Sequence, residues 1–197
     1  DHWAYVDPVK NPLPKVENKS WAKHWIDHFS LSHYEREEAN PAPDADPVTL
    51  IRRLHFDLTG LPPKSETVDQ FAQNPSPKAY SELVNQLLES KHFGERMAIY
   101  WLDLVRYADT VGYHGDQPHN ISPYRDWVIN AFNQNMPFDQ FTREQLAGDL
   151  LPNSTTQQKV ASGYNRLLQT THEGGLQIKE YDAIYAADRV RNVSEVW

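Results

Sequence analysis

The order of apolar and polar positions changes character several times along the chain, and each change marks an element. Residues 1–19 carry Pro8, Pro12 and Pro14 without a helical period, so they read as an extended arm, pinned by Trp3, Tyr5 and Val6. Ser20 is a helix-capping residue type. Trp21, Ala22, Trp25, Ile26 and Phe29 then share one side of a wheel, predicting a first helix over about 21–29. The stretch ANPAPDAD (39–46) has the composition of a linker. Asp46-Pro47 joins a capping carboxylate to a proline at the first helical position. Leu50, Ile51, Leu54 and Leu58 follow at helical spacing, and Gly60 with Leu61-Pro62-Pro63 ends the run.

Ser65 opens a short helix with Val68, Phe71 and Ala72, which Pro75-Ser76-Pro77 breaks. Residues 78–89 place Tyr80, Leu83, Val84, Leu87 and Leu88 on one face. Residues 92–108 are apolar on nearly every side, which predicts the most buried helix. A polar loop follows at 109–121, and Ser122-Pro123 repeats the cap-plus-proline start of a helix reaching about Asn133. Met136-Pro137 interrupts it, and Phe138, Phe141, Leu146 and Leu150 stripe the next helix. Residues 157–165 read as helical, 168–176 as a loop and 177–197 as a final helix. No segment keeps a period of two. The expected fold is all-α: an irregular multi-helix domain of about eight or nine helices over 20–197, behind the arm of 1–19. Its last residues, VRNVSEVW, carry no stop signal, so a domain truncated at its C-terminal end is expected.

Composition narrows the classes. No run approaches the ~18–20 apolar residues of a membrane span. Lys+Arg total 19 against 27 Asp+Glu, a net charge of −8, and the basic residues are scattered; this argues against nucleic-acid binding. With no Cys there is no disulfide, thiolate ligand or covalent haem attachment within these residues. Aromatics make up 12%, including 6 Trp, and carry much of the burial.

Four groups bear chemistry. His24 and His28 are four apart, the spacing that puts two imidazoles on one helix side; no third ligand accompanies them, and boundary histidines on an aromatic stripe explain them as well. Arg96, Tyr100, Asp103 and Tyr107 fall in one stripe of the 92–108 helix. They read either as a register-fixing polar network, with Asp103 and Arg106 close enough to pair, or as the wall of an acidic and aromatic pocket. Loop 109–121 adds Asp109, and its His114, Asp116 and His119 are a candidate metal set whose spacing matches no EF-hand loop and no zinc signature. Glu173-Gly174-Gly175 forms a turn able to present Glu173 or backbone N–H groups. The carboxylates Asp103, Asp126, Glu144, Asp149 and Asp188 cannot be paired from sequence.

Four segments together resemble one family: LIRRLHFDLTGLPP (50–63), GERMAIYWLDLVRYADT (94–110), YRDWVINAFNQNMPFDQFTREQLAGDLLP (124–152), and Glu173–Gly175 followed by Asp188-Arg189-Val190. The chain is similar over nearly its whole length to the planctomycete cytochrome-c-associated domain of unknown function, family fifteen-forty-nine. The resemblance implies an exported protein of the periplasm or cell envelope, with upstream and downstream domains of the same polypeptide as partners. It also implies a c-type haem in the full-length protein, attached at a Cys-x-x-Cys-His segment just after the position of Trp197. None of that segment lies within these residues. A redox or electron-transfer role beside that haem is the leading expectation, with His172, Tyr181 and Tyr185 as haem-proximal residues. The alternatives are an enzyme domain acting on an extracellular substrate such as a carbohydrate, and a non-catalytic interaction module. The resemblance supplies no catalytic residue.

Overall fold

Nine α-helices and three 3-10 turns make up most of residues 2–112, 115–171 and 173–197, the residues that the computed structural model describes. Among them strand pairing is limited to two isolated bridges, so the fold is all-α. The chain divides into two compact units, residues 1–45 and 46–197.

The first unit holds a 3-10 turn at Trp3–Tyr5 and helix α1 at Trp25–Arg36. Helix α1 starts later than the wheel predicts, and Asp27 is the reason. Its Oδ2 accepts the backbone N–H groups of Lys23 at 2.8 Å and His24 at 2.7 Å. Those bonds stabilise the carboxylate and hold its pKa below the ordinary value. Ser20 caps nothing and instead donates to Asn18 Oδ1 at 2.8 Å. His24 becomes the extended N-cap, outside the helix that carries His28. Two further expectations change here. Tyr5 and Val6 are exposed rather than pinning the arm, and the Trp3 side chain lies outside the described residues. The arm is tied to α1 by Glu35 Oε1, which accepts the N–H of Glu17 at 2.9 Å.

The second unit holds the other helices: α2 Pro47–Thr59, α3 Ser65–Gln73, α4 Pro77–Leu88, α5 Lys91–Leu104, α6 Ser122–Asn133, α7 Phe138–Ala147, α8 Thr156–Ala161 and α9 Ile178–Val196. Helix α2 follows its local signals. Asp46 Oδ1 accepts the Thr49 N–H at 3.0 Å, and Gly60 closes the helix at a φ of 71°. Ser76 caps α4 through the Ala79 N–H at 3.2 Å. Ser65 and Ser122 are not caps: Lys64 and Ile121 hold those positions without a side-chain bond.

Two apolar clusters organise this unit. Ile51, Leu54, Phe71, Leu83 and Leu87 join α2, α3 and α4. The second centres on Ala98, Val105, Tyr124, Trp127, Val128 and Phe141, with Tyr164 and Leu167 from the chain after α8. Gln145, fully buried, ties that cluster together: its Oε1 accepts from Tyr124 Oη at 2.6 Å and from Trp101 Nε1 at 2.9 Å, and its Nε2 donates to the Phe141 carbonyl at 3.1 Å. Both polar atoms of the buried Gln145 side chain thereby regain partners.

Helix α5 lies between the clusters and meets α2 and α6. Its contact with α6 is close because Gly94 has no side chain: a Cβ there would lie 2.4 Å from the Ile129 carbonyl oxygen. Asn133 Oδ1 accepts the Gly94 N–H at 2.8 Å, satisfying a donor of the first turn. The expectation that α5 is the most buried helix fails. Gly94 and Ala98 are its buried residues, while Ile99, Tyr100 and Leu104 stand exposed at 56%, 57% and 47%. A small-residue contact narrows the buried stripe, and the apolar residues flanking it are left outside.

Helix α5 also ends early. Arg106 adopts a φ of 62°, its N–H donates to the Asp103 carbonyl at 3.0 Å, and the Tyr107 N–H donates to the Leu102 carbonyl at 2.8 Å. This bond pair is the Schellman motif, with an arginine where glycine usually sits. It turns Tyr107 off the helix, so the stripe of Arg96, Tyr100, Asp103 and Tyr107 does not continue to its last member.

Candidate functional site

The turn at Arg106 delivers the chain into loop 109–121, which folds on itself. The His119 N–H donates to the Asp109 carbonyl at 2.7 Å and the Val111 N–H to the Gln117 carbonyl at 3.0 Å. Asp116, at a φ of 40°, accepts the Gly112 N–H at 2.8 Å. Bonds from the Thr110 hydroxyl and that N–H lower the Asp116 pKa. Its carboxylate therefore shapes the loop. His114 and His172 lie outside the described residues. Among the described residues no three of His, Asp or Glu converge as a metal set.

The second polar loop, 168–176, is joined to the first. The Thr170 N–H donates to the Val111 carbonyl at 3.1 Å, and the Thr171 N–H donates to Tyr185 Oη of α9 at 2.9 Å. Glu173 is exposed, with its N–H on Thr171 Oγ1 at 3.2 Å.

The predicted pocket residues separate into local arrangements. The Arg96 guanidinium lies over the Tyr100 ring, 5.0 Å from its centroid, a cation–π contact, and the Arg96 stem packs near Gly60. Asp103 is exposed, and Arg106 pairs with Asp188 rather than with it. Tyr107 and Asp109 do come together, Tyr107 Oη donating to Asp109 Oδ1 at 2.6 Å. Burial, that bond and the Asp109 charge push the Tyr107 pKa up to about 12, while Arg125 pulls the other way. The Tyr181 and Tyr185 rings meet at a tilt of 56°, their centroids 5.8 Å apart, in the first half of α9. Tyr185 is twelve residues from Trp197, about 18 Å along the axis at 1.5 Å per residue.

Two concavities emerge that the sequence does not announce. One, of about 300 Å³, is bounded by both loops and α9. Arg106, Arg166, Arg191 and His119 line it, with Asp188 as the carboxylate among the lining residues. Arg106 grips Asp188 with two bonds of 3.2 and 3.1 Å. The other, of about 440 Å³, runs between α6, α7 and α8 and is rich in amides, including Asn130, Gln134, Gln140 and Gln158. Glu144 stands in it 6% exposed, its Oε1 accepting from Gln140 Nε2 at 2.9 Å and Gln158 Nε2 at 3.2 Å.

At the far end of α9, Trp197 enters the aromatic cluster. Its ring centroid lies 5.1 Å from Trp101, 6.0 Å from Phe138 and 6.1 Å from Tyr164. Phe138 is 69% exposed and Trp197 36%, so this pair presents aromatic surface outward. Among the described residues no helix is long and apolar enough to cross a membrane.

An all-α domain with two polar loops gathered against a terminal helix is the class these features define. A family model described as a protein of unknown function, DUF1549 (PSCyt2), matches residues 25–197, and the chain belongs to that family. The family's short name agrees with the cytochrome association that the motifs imply. Comparison with curated proteins and with solved structures gives no match.

Proposed function

We propose that this is the helical domain of an exported cell-envelope protein, serving electron transfer beside a c-type haem carried elsewhere on the same polypeptide. The observation that carries the reading is the exposed Phe138–Trp197 pair, backed by Trp101 and Tyr164. A porphyrin is a flat apolar ring, and an outward aromatic face suits it. These residues fit a supporting surface rather than an attachment site, because they contain no Cys. When bound, the haem supplies one-electron chemistry. This chain's part is to hold Trp197 in place and to exclude water from one side of the ring. The upstream and downstream domains of the polypeptide are the partners in this reading.

The test uses the full-length protein expressed with haem-attachment machinery. A Soret band is expected, and Trp197→Ala with Phe138→Ala should shift the haem reduction potential. A full-length protein without the band, or a potential that the double variant leaves unchanged, overturns the proposal.

The groove around Glu144 favours a second reading, a carbohydrate-binding or carbohydrate-cleaving domain. Amides and a buried carboxylate are the groups that pair with sugar hydroxyls. Saturable binding of a neutral oligosaccharide that Glu144→Gln weakens would support it; lack of any binding across a glycan panel would sink it.

A further inference from the structure

The cleft between the two loops and α9 has a charge opposite to that of the chain. The molecule carries −8 overall, yet three of its arginines line one concavity of about 300 Å³. Asp188 is the carboxylate lining it, and both its oxygens are held by Arg106. Arg166 and Arg191 are left without a carboxylate among the lining residues, and His119 adds an imidazole. Among the described lining residues, two exposed arginines thus face the cleft without a carboxylate of their own, in a chain whose net charge is negative.

The kind of cation matters. Guanidinium groups present planar forks of N–H donors that match the paired oxygens of a carboxylate, phosphate or sulfate. The remaining walls include Val111, Leu167 and Leu168, which offer apolar contact to whatever carries the anion. The volume stands at the low end of the ~300–1,000 Å³ range of small-ligand sites. The partly exposed Arg106–Asp188 pair lines the cleft and joins the turn after α5 to α9.

We infer that this cleft binds a small oxyanion-bearing ligand, with Arg166 and Arg191 gripping the anion and the Arg106–Asp188 pair holding the site in shape. Carboxylate, phosphate and sulfate share the recognising chemistry, and the sugar acid glucuronate combines it with a body small enough for the space.

The 197-residue chain is titrated separately with glucuronate, inorganic phosphate and sulfate, followed by amide chemical shifts, with glucose as the neutral control. Saturable shifts at Thr110, Gly112, Gln169 and Arg191 are expected for at least one anion, and the arm that saturates at the lowest concentration identifies the anion class. Arg166→Gln and Arg191→Gln should each weaken that binding at least tenfold, whereas Arg143→Gln, outside the cleft, should leave it unchanged. A second measurement guards against a misfolded variant: Arg166→Gln and Arg191→Gln should keep the wild-type circular dichroism and cooperative unfolding, and a Tm gain from the binding anion in either of them equal to or beyond that seen in Arg143→Gln would contradict the site. No saturable shift with any of the three anions, or equal weakening by Arg143→Gln, overturns the inference. Its failure would leave the haem proposal untouched, since neither Trp197 nor Phe138 lines this cleft.

Discussion

Replacing Gly94 by alanine sets two effects of opposite sign against each other. Helix propensity alone favours the change by about 1 kcal/mol, since an internal glycine in α5 gives way to the best helix former. Packing opposes it. The new Cβ would lie 2.4 Å from the Ile129 carbonyl oxygen and 2.6 Å from Asn133 Cγ. The first obstacle is backbone, so α5 and α6 must separate rather than one side chain swing aside. Overpacking of this kind costs about 1–3 kcal/mol, and a backbone obstacle places it at about 3. The shift also loosens the Gly94 N–H bond to Asn133. The net is destabilisation by about 2 kcal/mol, a fall in Tm of about 4–8 °C for a domain of this size. Thermal and urea unfolding followed by circular dichroism measure it. Gly174→Ala is the control, because no atom lies within 4 Å of its Cβ; it should stay within about 0.5 kcal/mol of wild type. A Tm for Gly94→Ala equal to or above wild type would mean that propensity outweighs packing at this crossing, and the account of the α5–α6 contact would be wrong.

Gln145→Leu keeps the shape of a buried residue but leaves the Tyr124 hydroxyl without its acceptor, a loss of about 1–3 kcal/mol by chemical denaturation; a change below about 0.5 kcal/mol would refute the hub assigned to Gln145. Tyr107 should ionise near pH 12, above its ordinary value of 10.0. The folded pKa is raised, so its contribution to stability is complete below pH 10 and is lost as pH climbs to about 12. Tyr124 and Tyr164 also titrate above the ordinary value, so the phenolate absorbance lost in Tyr107→Phe should come from the high-pH part of the titration, and a loss near pH 10 instead would count against the Tyr107–Asp109 bond. Asp46 has a lowered pKa because the Thr49 N–H and hydroxyl donate to its carboxylate, so its stabilisation is present above the ordinary carboxylate range and fades as pH falls through the folded value. Asp46→Ala should therefore flatten the acid limb of a urea-midpoint profile, and a limb as steep as wild type would contradict the cap.

What could be read from the chain was local. Asp46-Pro47 and Gly60 mark both ends of α2 because caps are made by residues adjacent in sequence. Arg106 hid the end of α5, since nothing in an arginine advertises a left-handed turn. Ser20 looked like a cap, but Asp27, reaching back from inside the helix, settled the start of α1. Residues 92–108 are apolar on nearly every side, a pattern that cannot say a glycine contact buries so little of the helix. The cleft was out of reach for a different reason. Arg106, Arg166 and Arg191 are far apart in the chain, and the loops that bring them together meet through the Thr170–Val111 backbone bond, which has no side-chain signature. Glu144 was visible as a carboxylate, but not as one held by two glutamines.

The arginine at the end of α5 sets a trap for anyone improving the molecule by heat selection. Glycine in that slot would relieve roughly 1 kcal/mol of left-handed strain. A screen scored only on survival at high temperature would reward that exchange whenever the partly exposed bridge to Asp188 is worth less. The winners would be hardier proteins whose last helix had lost its tether to α5, and the defect would stay hidden until someone assayed for binding.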